Sequence, residues 1–152
     1  MNNNIVIKAN ITNSDKQTVI NWTNSYNQIF LNQWAGANLN FPLTLEEFNF
    51  QNIYSIFSNE EFIGIIQKIR EENNNIHIGR FLINPLLTGK GLGTIALTEF
   101  INFIFQNKNI HSITLNVFTY NINAIKLYKK LGFEILEIIT QPEKKYLMIK
   151  FR

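Results

Sequence analysis

A chain of 152 residues, 45% hydrophobic and 16% charged, has the length of one domain and a folding composition, which excludes intrinsic disorder. No apolar run approaches the ~20 residues of a membrane span, and the start MNNNIVIKAN lacks the basic-then-apolar order of a signal peptide, so a soluble, cytoplasmic protein without membrane contact is expected. Zero cysteines exclude disulfides, cysteine-ligated zinc and an acyl-cysteine intermediate, and a net charge of +3 scattered without a basic run predicts no nucleic-acid partner.

In chain order, residues 5–9 read as a short strand. Ser14 and Asp15 offer N-cap oxygens ahead of an apolar face of Val19, Ile20 and Trp22, which predicts a helix, and a second helix covers 26–34. Gly36 and Pro42 make 35–42 a loop, and Thr44 with Glu47 has capping-box spacing for a short helix near Leu45. Strands at 54–57, 61–69 and 76–83, separated by polar turns at 58–60 and 71–75, form an antiparallel meander. Leu92, Ile95, Ala96, Phe100 and Phe103 mark one face of a helix. A strand at 110–117, a helix over about 121–131 closed by Gly132 at C′, and strands at 133–139 and 145–151 complete the order. No repeat or linker divides the chain, so one α/β domain over 1–152 with a mixed sheet is predicted.

Between the third meander strand and the next helix, residues 84–94 read NPLLTGKGLGT, three glycines at alternate positions. Glycine permits backbone angles and close approach that a Cβ forbids, so amide N–H groups can face outward beside a helix N-terminus and bind phosphate oxygens. Lys90 and Thr94 could add a charge and a hydroxyl. A P-loop would need Gly-Lys-Ser/Thr in a spacing not present here, and a dinucleotide site would need a carboxylate about 20 residues on, where the chain instead reads His111-Ser112-Ile113. A turn in which the glycines serve geometry alone is the remaining reading, and three glycines around a lysine exceed what it requires.

Residues 115–133 read LNVFTYNINAIKLYKKLGF. Ala124, Leu127, Tyr128 and Leu131 follow i, i+3, i+4, i+7 as one buried stripe, by which Tyr128 is a core aromatic, and Asn121 suits an N-cap. With the glycine loop, this segment resembles the GCN5-related N-acetyltransferase (GNAT) superfamily. Asn121, Ala124, Tyr128, Gly132 and Phe133 match its N-x-x-A-x-x-x-Y-x-x-x-G-F pattern, and Gly91 and Gly93 match its Q/R-x-x-G-x-G/A loop. Thr88 departs from that loop's first position. The resemblance runs over about 76–133, and the stretch from Trp34 to Thr44 is similar to bacterial members near the ribosomal-protein-alanine acetyltransferase branch.

The resemblance implies a single-domain GNAT fold of the α/β (α+β) class, with a mixed, mostly antiparallel sheet splayed at the cofactor site and flanked by helices. It implies acetyl-CoA as co-substrate, lying between the strands at 76–83 and 110–117. The backbone of Phe81, Leu82 and Ile83 would pair with the pantetheine arm, and Thr88, Gly89, Lys90, Gly91, Leu92, Gly93 and Thr94 would hold the pyrophosphate. A bulge in the first of these strands would aim an N–H near Leu82 at the thioester carbonyl as an oxyanion donor. Asn121 would lie near the pantetheine arm, and Tyr128 would act as general acid to the departing thiolate, an effect of about 10²-fold.

The implied reaction is acetyl transfer to an amine, a small molecule or a peptide N-terminus, by direct attack in a ternary complex, since no cysteine can carry the acyl group. His77 could serve as base through a water, or be a packed strand residue, while Glu61 and Glu72 at strand ends should be solvated. Residues 34–41 are the expected acceptor contact. No histidine pattern suggests a metal, and a homodimer is one assembly this reading allows. The rival is a non-catalytic acyl-CoA-binding module with a regulatory role.

Overall fold

The computed structural model describes residues 4–152. Its strands are β1 (Ile5–Ala9), β2 (Ile53–Ser58), β3 (Glu61–Glu72), β4 (Asn75–Ile83), β5 (Ser112–Phe118), β6 (Glu134–Ile139) and β7 (Lys145–Phe151). Its helices are α1 (Asn13–Asn24), α2 (Gln28–Ala35), α3 (Leu92–Phe105) and α4 (Ile122–Lys130). The strands form one sheet in the order β1-β2-β3-β4-β5-β7-β6, antiparallel at every junction except the parallel β4–β5 pair.

Both meander turns are two residues long with left-handed φ throughout, 50° and 72° at Asn59–Glu60 and 52° and 61° at Asn73–Asn74. That is type I′ geometry, whose twist matches the flanking strands and which asparagine tolerates. The second turn is tighter than the predicted 71–75 because β3 stays paired to Glu72↔Asn75. The parallel β4–β5 pair needs a crossover, and α3 supplies it.

Two apolar clusters cover the sheet. In one, Leu92, Ala96, Leu97, Phe100, Ile101 and Ile104 of α3 pack with Ile125 and Phe133 against Ile66, Ile78 and Leu115. In the other, Val19 and Ile20 of α1 and Leu31 and Trp34 of α2 pack with Phe48 against Ile65 and Leu82. Adjacent residues Ile65 and Ile66 fall in different clusters, as strand alternation requires when both faces are covered.

Two local expectations are corrected. The N-cap of α1 is Thr12, whose Oγ1 accepts from the Asp15 N–H at 3.0 Å, and Asp15 instead places its charge in the first turn. Thr44 and Glu47 do pair, the Glu47 N–H donating to Thr44 Oγ1 at 3.3 Å and the Thr44 hydroxyl to Glu47 Oε1 at 3.2 Å, but among the described residues the return bond from the Thr44 N–H is missing and only a turn follows. Phe48, 1% exposed, is drawn into the core beside Trp34 and Phe50, so helix propagation stops after its costly nucleus.

Candidate active site

β4 and β5 pair only from Asn75↔Ser112 to Ile78↔Leu115. Beyond that point β4 remains bonded to β3 and β5 to β7, so 79–83 and 116–118 diverge and leave a wedge. A bulge marks the divergence. Ile65 pairs with Leu82 and Gln67 with Gly79, so two steps along β3 oppose three along β4, and the extra residue falls at 80–81. Arg80 there has φ 44°, a left-handed value that favours glycine. The edge of β4 that faces β5 has lost its neighbouring strand, and an extended ligand can pair along such an edge.

Two cavities meet in the wedge. The larger, about 540 Å³, is lined by Phe81, Leu82, Ile83, Thr88, Gly89, Gly91, Leu92, Gly93, Thr94, Asn121 and Tyr128. Every residue singled out for the cofactor is therefore in one cavity except Lys90, which is exposed and does not line it. The smaller, about 190 Å³, lies between α2, the bulge of β4 and the end of β5. Gln33, Trp34, Phe81 and Tyr128 line both, so the cavities join beside the Tyr128 ring.

The glycine loop is built for exposed amides. The Asn84 side chain accepts from the Leu86 N–H at 3.0 Å, and Thr88 Oγ1 donates to the Pro85 carbonyl at 3.2 Å, closing a single 3-10 turn over Pro85–Leu87. Gly89 and Gly91 take φ 78° and 75°, and a Cβ on either would meet nothing, so conformation alone demands glycine. Gly91 caps α3 without any side-chain acceptor, and no acidic residue stands in its first turn. The first amides of a 14-residue helix thus face the larger cavity with the positive end of its dipole uncompensated.

Tyr128 owes its position to the end of α4. The Phe133 N–H bonds to the Tyr128 carbonyl and the Gly132 N–H to the Lys129 carbonyl, both at 3.0 Å, with Gly132 at φ 95°. This is a Schellman closure in which Tyr128 is C3, Gly132 C′ and Phe133 C″. Its apolar contact is the edge-on packing of the Tyr128 and Phe133 rings, 6.0 Å between centroids. The Y-x-x-x-G-F spacing is therefore a helix stop that also fixes the tyrosine. Tyr128 is both a core-packed aromatic and a cavity wall, and burial pushes its pKa up to about 12. Asn121 likewise has two positions at once: it caps α4, accepting from the Ala124 N–H at 3.4 Å, and it lines the larger cavity.

On the smaller cavity the expectations fare unevenly. Of residues 34–41, only Trp34, Ala35 and Gly36 line it, joined by Asn32 and Gln33 from the preceding turn of α2. Trp34 is held by core packing and by donation of its Nε1–H to Thr23 Oγ1 at 3.2 Å, and the rest of the loop runs elsewhere. His77 is 3% exposed, sits opposite Thr114 in the parallel pair, and shares a 2.8 Å hydrogen bond from Nδ1 with Thr114 Oγ1. Burial, then the charges of Arg70 and Lys145, lower its pKa to about 4, so it is neutral and a poor base. Glu61 and Glu72 are exposed at the ends of β3, as expected. Arg80 was not foreseen at all: it lines the smaller cavity, and burial lowers its pKa.

A family model described as the acetyltransferase (GNAT) family matches residues 17–133. Among curated proteins, the chain is 24% identical over 131 residues to the acetyltransferase PseH of Campylobacter jejuni strain 81-176, covering 84% of this chain and 82% of that one. It is 34% identical over 73 residues to the spermine/spermidine N(1)-acetyltransferase of Bacillus subtilis strain 168, covering 47% of this chain and 48% of that one. Among solved structures, aminoglycoside acetyltransferase AAC(6')-Ib in complex with coenzyme A and kanamycin superposes with a TM-score of 0.76 at 21% identity, over 98% of this chain and 95% of that one. The spermidine N-acetyltransferase of Vibrio cholerae with CoA and spermine gives 0.77 at 18% identity, over 97% and 95%. Those two similarities establish a shared fold, and the family match reaches from α1 to the Schellman closure that holds Tyr128. The chain belongs to the acetyltransferase (GNAT) family and is an acetyl-CoA-dependent N-acetyltransferase.

Proposed function

We propose that the larger cavity holds acetyl-CoA, that the smaller one receives the amine, and that the acetyl group passes between them in a ternary complex beside Tyr128. The observation that carries this reading is the junction itself. An uncapped glycine loop, an unpaired strand edge and a half-buried tyrosine line one continuous wedge. The amides of 89–94 suit the pyrophosphate, the free edge at 81–83 suits the pantetheine amides, and the bulge offers an N–H near Leu82 to the thioester oxygen.

In the transfer, the neutral amine nitrogen bonds to the thioester carbonyl carbon, the nitrogen releases its excess proton to solvent, the C–S bond breaks, and the sulfur leaves with the electron pair as a thiolate. Tyr128 stays protonated throughout the working pH range and donates a hydrogen bond to that sulfur. Full proton transfer from a phenol at about 12 to an ordinary thiolate near 8.5 would be uphill by about 5 kcal/mol. Burial in the same site raises the thiol as well, which narrows the gap. The ammonium proton is lost to solvent before attack, because His77 is too weak a base and, among the described residues, no carboxylate lines the smaller cavity.

For assembly, the outer strand β6 leaves Ile135, Leu136 and Ile138 exposed at the sheet edge, which supports a homodimer through that edge. A monomer by sedimentation at micromolar concentration would remove that part.

The test is thiol release from acetyl-CoA by wild type and Tyr128→Phe across amines and N-terminal peptides. Acceptor-dependent release that falls about 10²-fold in the variant, with CoA affinity unchanged, is expected. CoA binding without release for any acceptor would instead favour a non-catalytic acyl-CoA-binding module.

A further inference from the structure

Arg80 is placed where the fold would more cheaply hold glycine. Its φ of 44° is left-handed, a strain of about 1–2 kcal/mol for a side-chain-bearing residue. Its side chain is nonetheless fixed. Nη1 donates to Gln67 Oε1 at 2.7 Å, and Gln67 is itself oriented by its Nε2 donating to the Gln51 carbonyl at 2.7 Å. The guanidinium also lies over the Phe50 ring, 4.1 Å from the centroid. Among the described residues Nε is buried with no hydrogen-bond partner and no carboxylate forms an ion pair with the guanidinium, and burial lowers the Arg80 pKa.

The cavity that Arg80 lines has the same bias. Lys145 is on its wall, and among the described residues its lining contains no aspartate or glutamate. A desolvated guanidinium without a counter-ion is an unfavourable arrangement that an incoming anion relieves. A polycationic amine would meet repulsion there and find no carboxylate.

We infer that the acceptor is an amine carrying an anionic group, a carboxylate or a phosphate, which Arg80 binds while the amine reaches the junction at Tyr128. This rests on the proposed division of the wedge into cofactor and acceptor cavities. Arginine suits such oxyanions because its planar fork can donate two parallel hydrogen bonds. Arg80 is thus a specificity residue: it selects the substrate and takes no part in bond making.

The experiment compares matched acceptors, glucosamine with glucosamine 6-phosphate and the C-terminally amidated peptides Ser-Gln-Ala with Ser-Glu-Ala, alongside spermidine and kanamycin as polycations. In wild type the anionic member of at least one pair should have a kcat/KM at least tenfold above its neutral partner, carried mainly by KM and shrinking as salt is raised. Which pair responds separates phosphate from carboxylate. In Arg80→Gln the anionic-to-neutral ratio should fall to within about twofold. Arg80→Gly, which suits the left-handed backbone, is read in the same way and keeps the test open if Arg80→Gln fails to fold. Equal use of both members of each pair, preference for the polycations, or an undiminished ratio in the variants would overturn the inference while leaving acetyl transfer intact. No thiol release with any of these acceptors would instead defeat the reading on which it rests.

Discussion

His77 holds the strands together where they are about to part. Its bond to Thr114 spans the last stretch in which β4 and β5 are paired, and its burial keeps the ring neutral. Because the folded pKa of about 4 lies below the unfolded value near 6.5, the unfolded chain takes the proton first as pH falls. Stability from this residue is intact above pH 6.5 and is lost progressively down to about pH 4, by about 3 kcal/mol in all. Urea midpoints at pH 7 and pH 4.5 should therefore fall further in wild type than in His77→Gln. In catalysis, kcat/KM should climb about tenfold per pH unit below the acceptor amine's pKa, with no break near 6.5, and a plateau from pH 6.5 upward would restore a histidine base. The sequence could place His77 on its strand, but only the packing around it decides between base and clasp. Arg80 was illegible for a similar reason: Gly79-Arg80-Phe81 reads as ordinary strand, and neither the bulge nor the buried, unpartnered Nε has a local signal.

Elements whose chemistry is local were readable. The asparagine-rich turns, Gly89 and Gly91 of the loop and the Gly132 stop all announce left-handed backbone, and the structure has it at each, whereas Gly93 is helical. The two family glycines of the loop nonetheless differ in kind. Gly91→Ala forces a Cβ into φ 75° and should disturb the amide cradle, weakening CoA binding about tenfold or more by calorimetry. At Gly93 the nearest atoms to an added Cβ are 3.8 Å or farther, so Gly93→Ala should leave thermal stability within about 0.5 kcal/mol of wild type. Equal loss of CoA affinity in both would mean that close ligand approach, and not φ, sets the glycine requirement. The helix expected near Leu45 failed because the Thr44–Glu47 pairing is local while the pull on Phe48 is tertiary. Arg152 shows the same limit in reverse. Its guanidinium donates to the carbonyls of Phe105, Asn107 and Ile110 at 2.7–3.0 Å, tying down the end of α3, a role that nothing in the last residues of the sequence signals. Arg152→Ala should lower stability by about 1 kcal/mol without changing kcat/KM, measured side by side.

At the scale of the molecule, the alternation of strands and helices was enough for the order of elements along the chain and a mixed sheet, but not for the order of strands within it, and only the family resemblance implied where the sheet opens. The opening itself, a parallel pair that stops after four residue pairs while both strands run on, is a tertiary fact. It needs α3 to cross from β4 to β5 and the 80–81 bulge to turn the edge of β4, and neither shows as a period in the sequence. A ligand that binds the folded wedge and not the unfolded chain stabilises the whole fold: CoA at about 100 times its Kd should add about 2.7 kcal/mol to the unfolding free energy. The account stands or falls on what occupies that wedge. The most direct measurement is a crystal structure of the chain with bound CoA. The account predicts the pyrophosphate on the amides of 89–94, the pantetheine paired along 81–83, and the sulfur in hydrogen-bonding reach of Tyr128 Oη. CoA seated outside the wedge, or a sulfur remote from Tyr128, would contradict it.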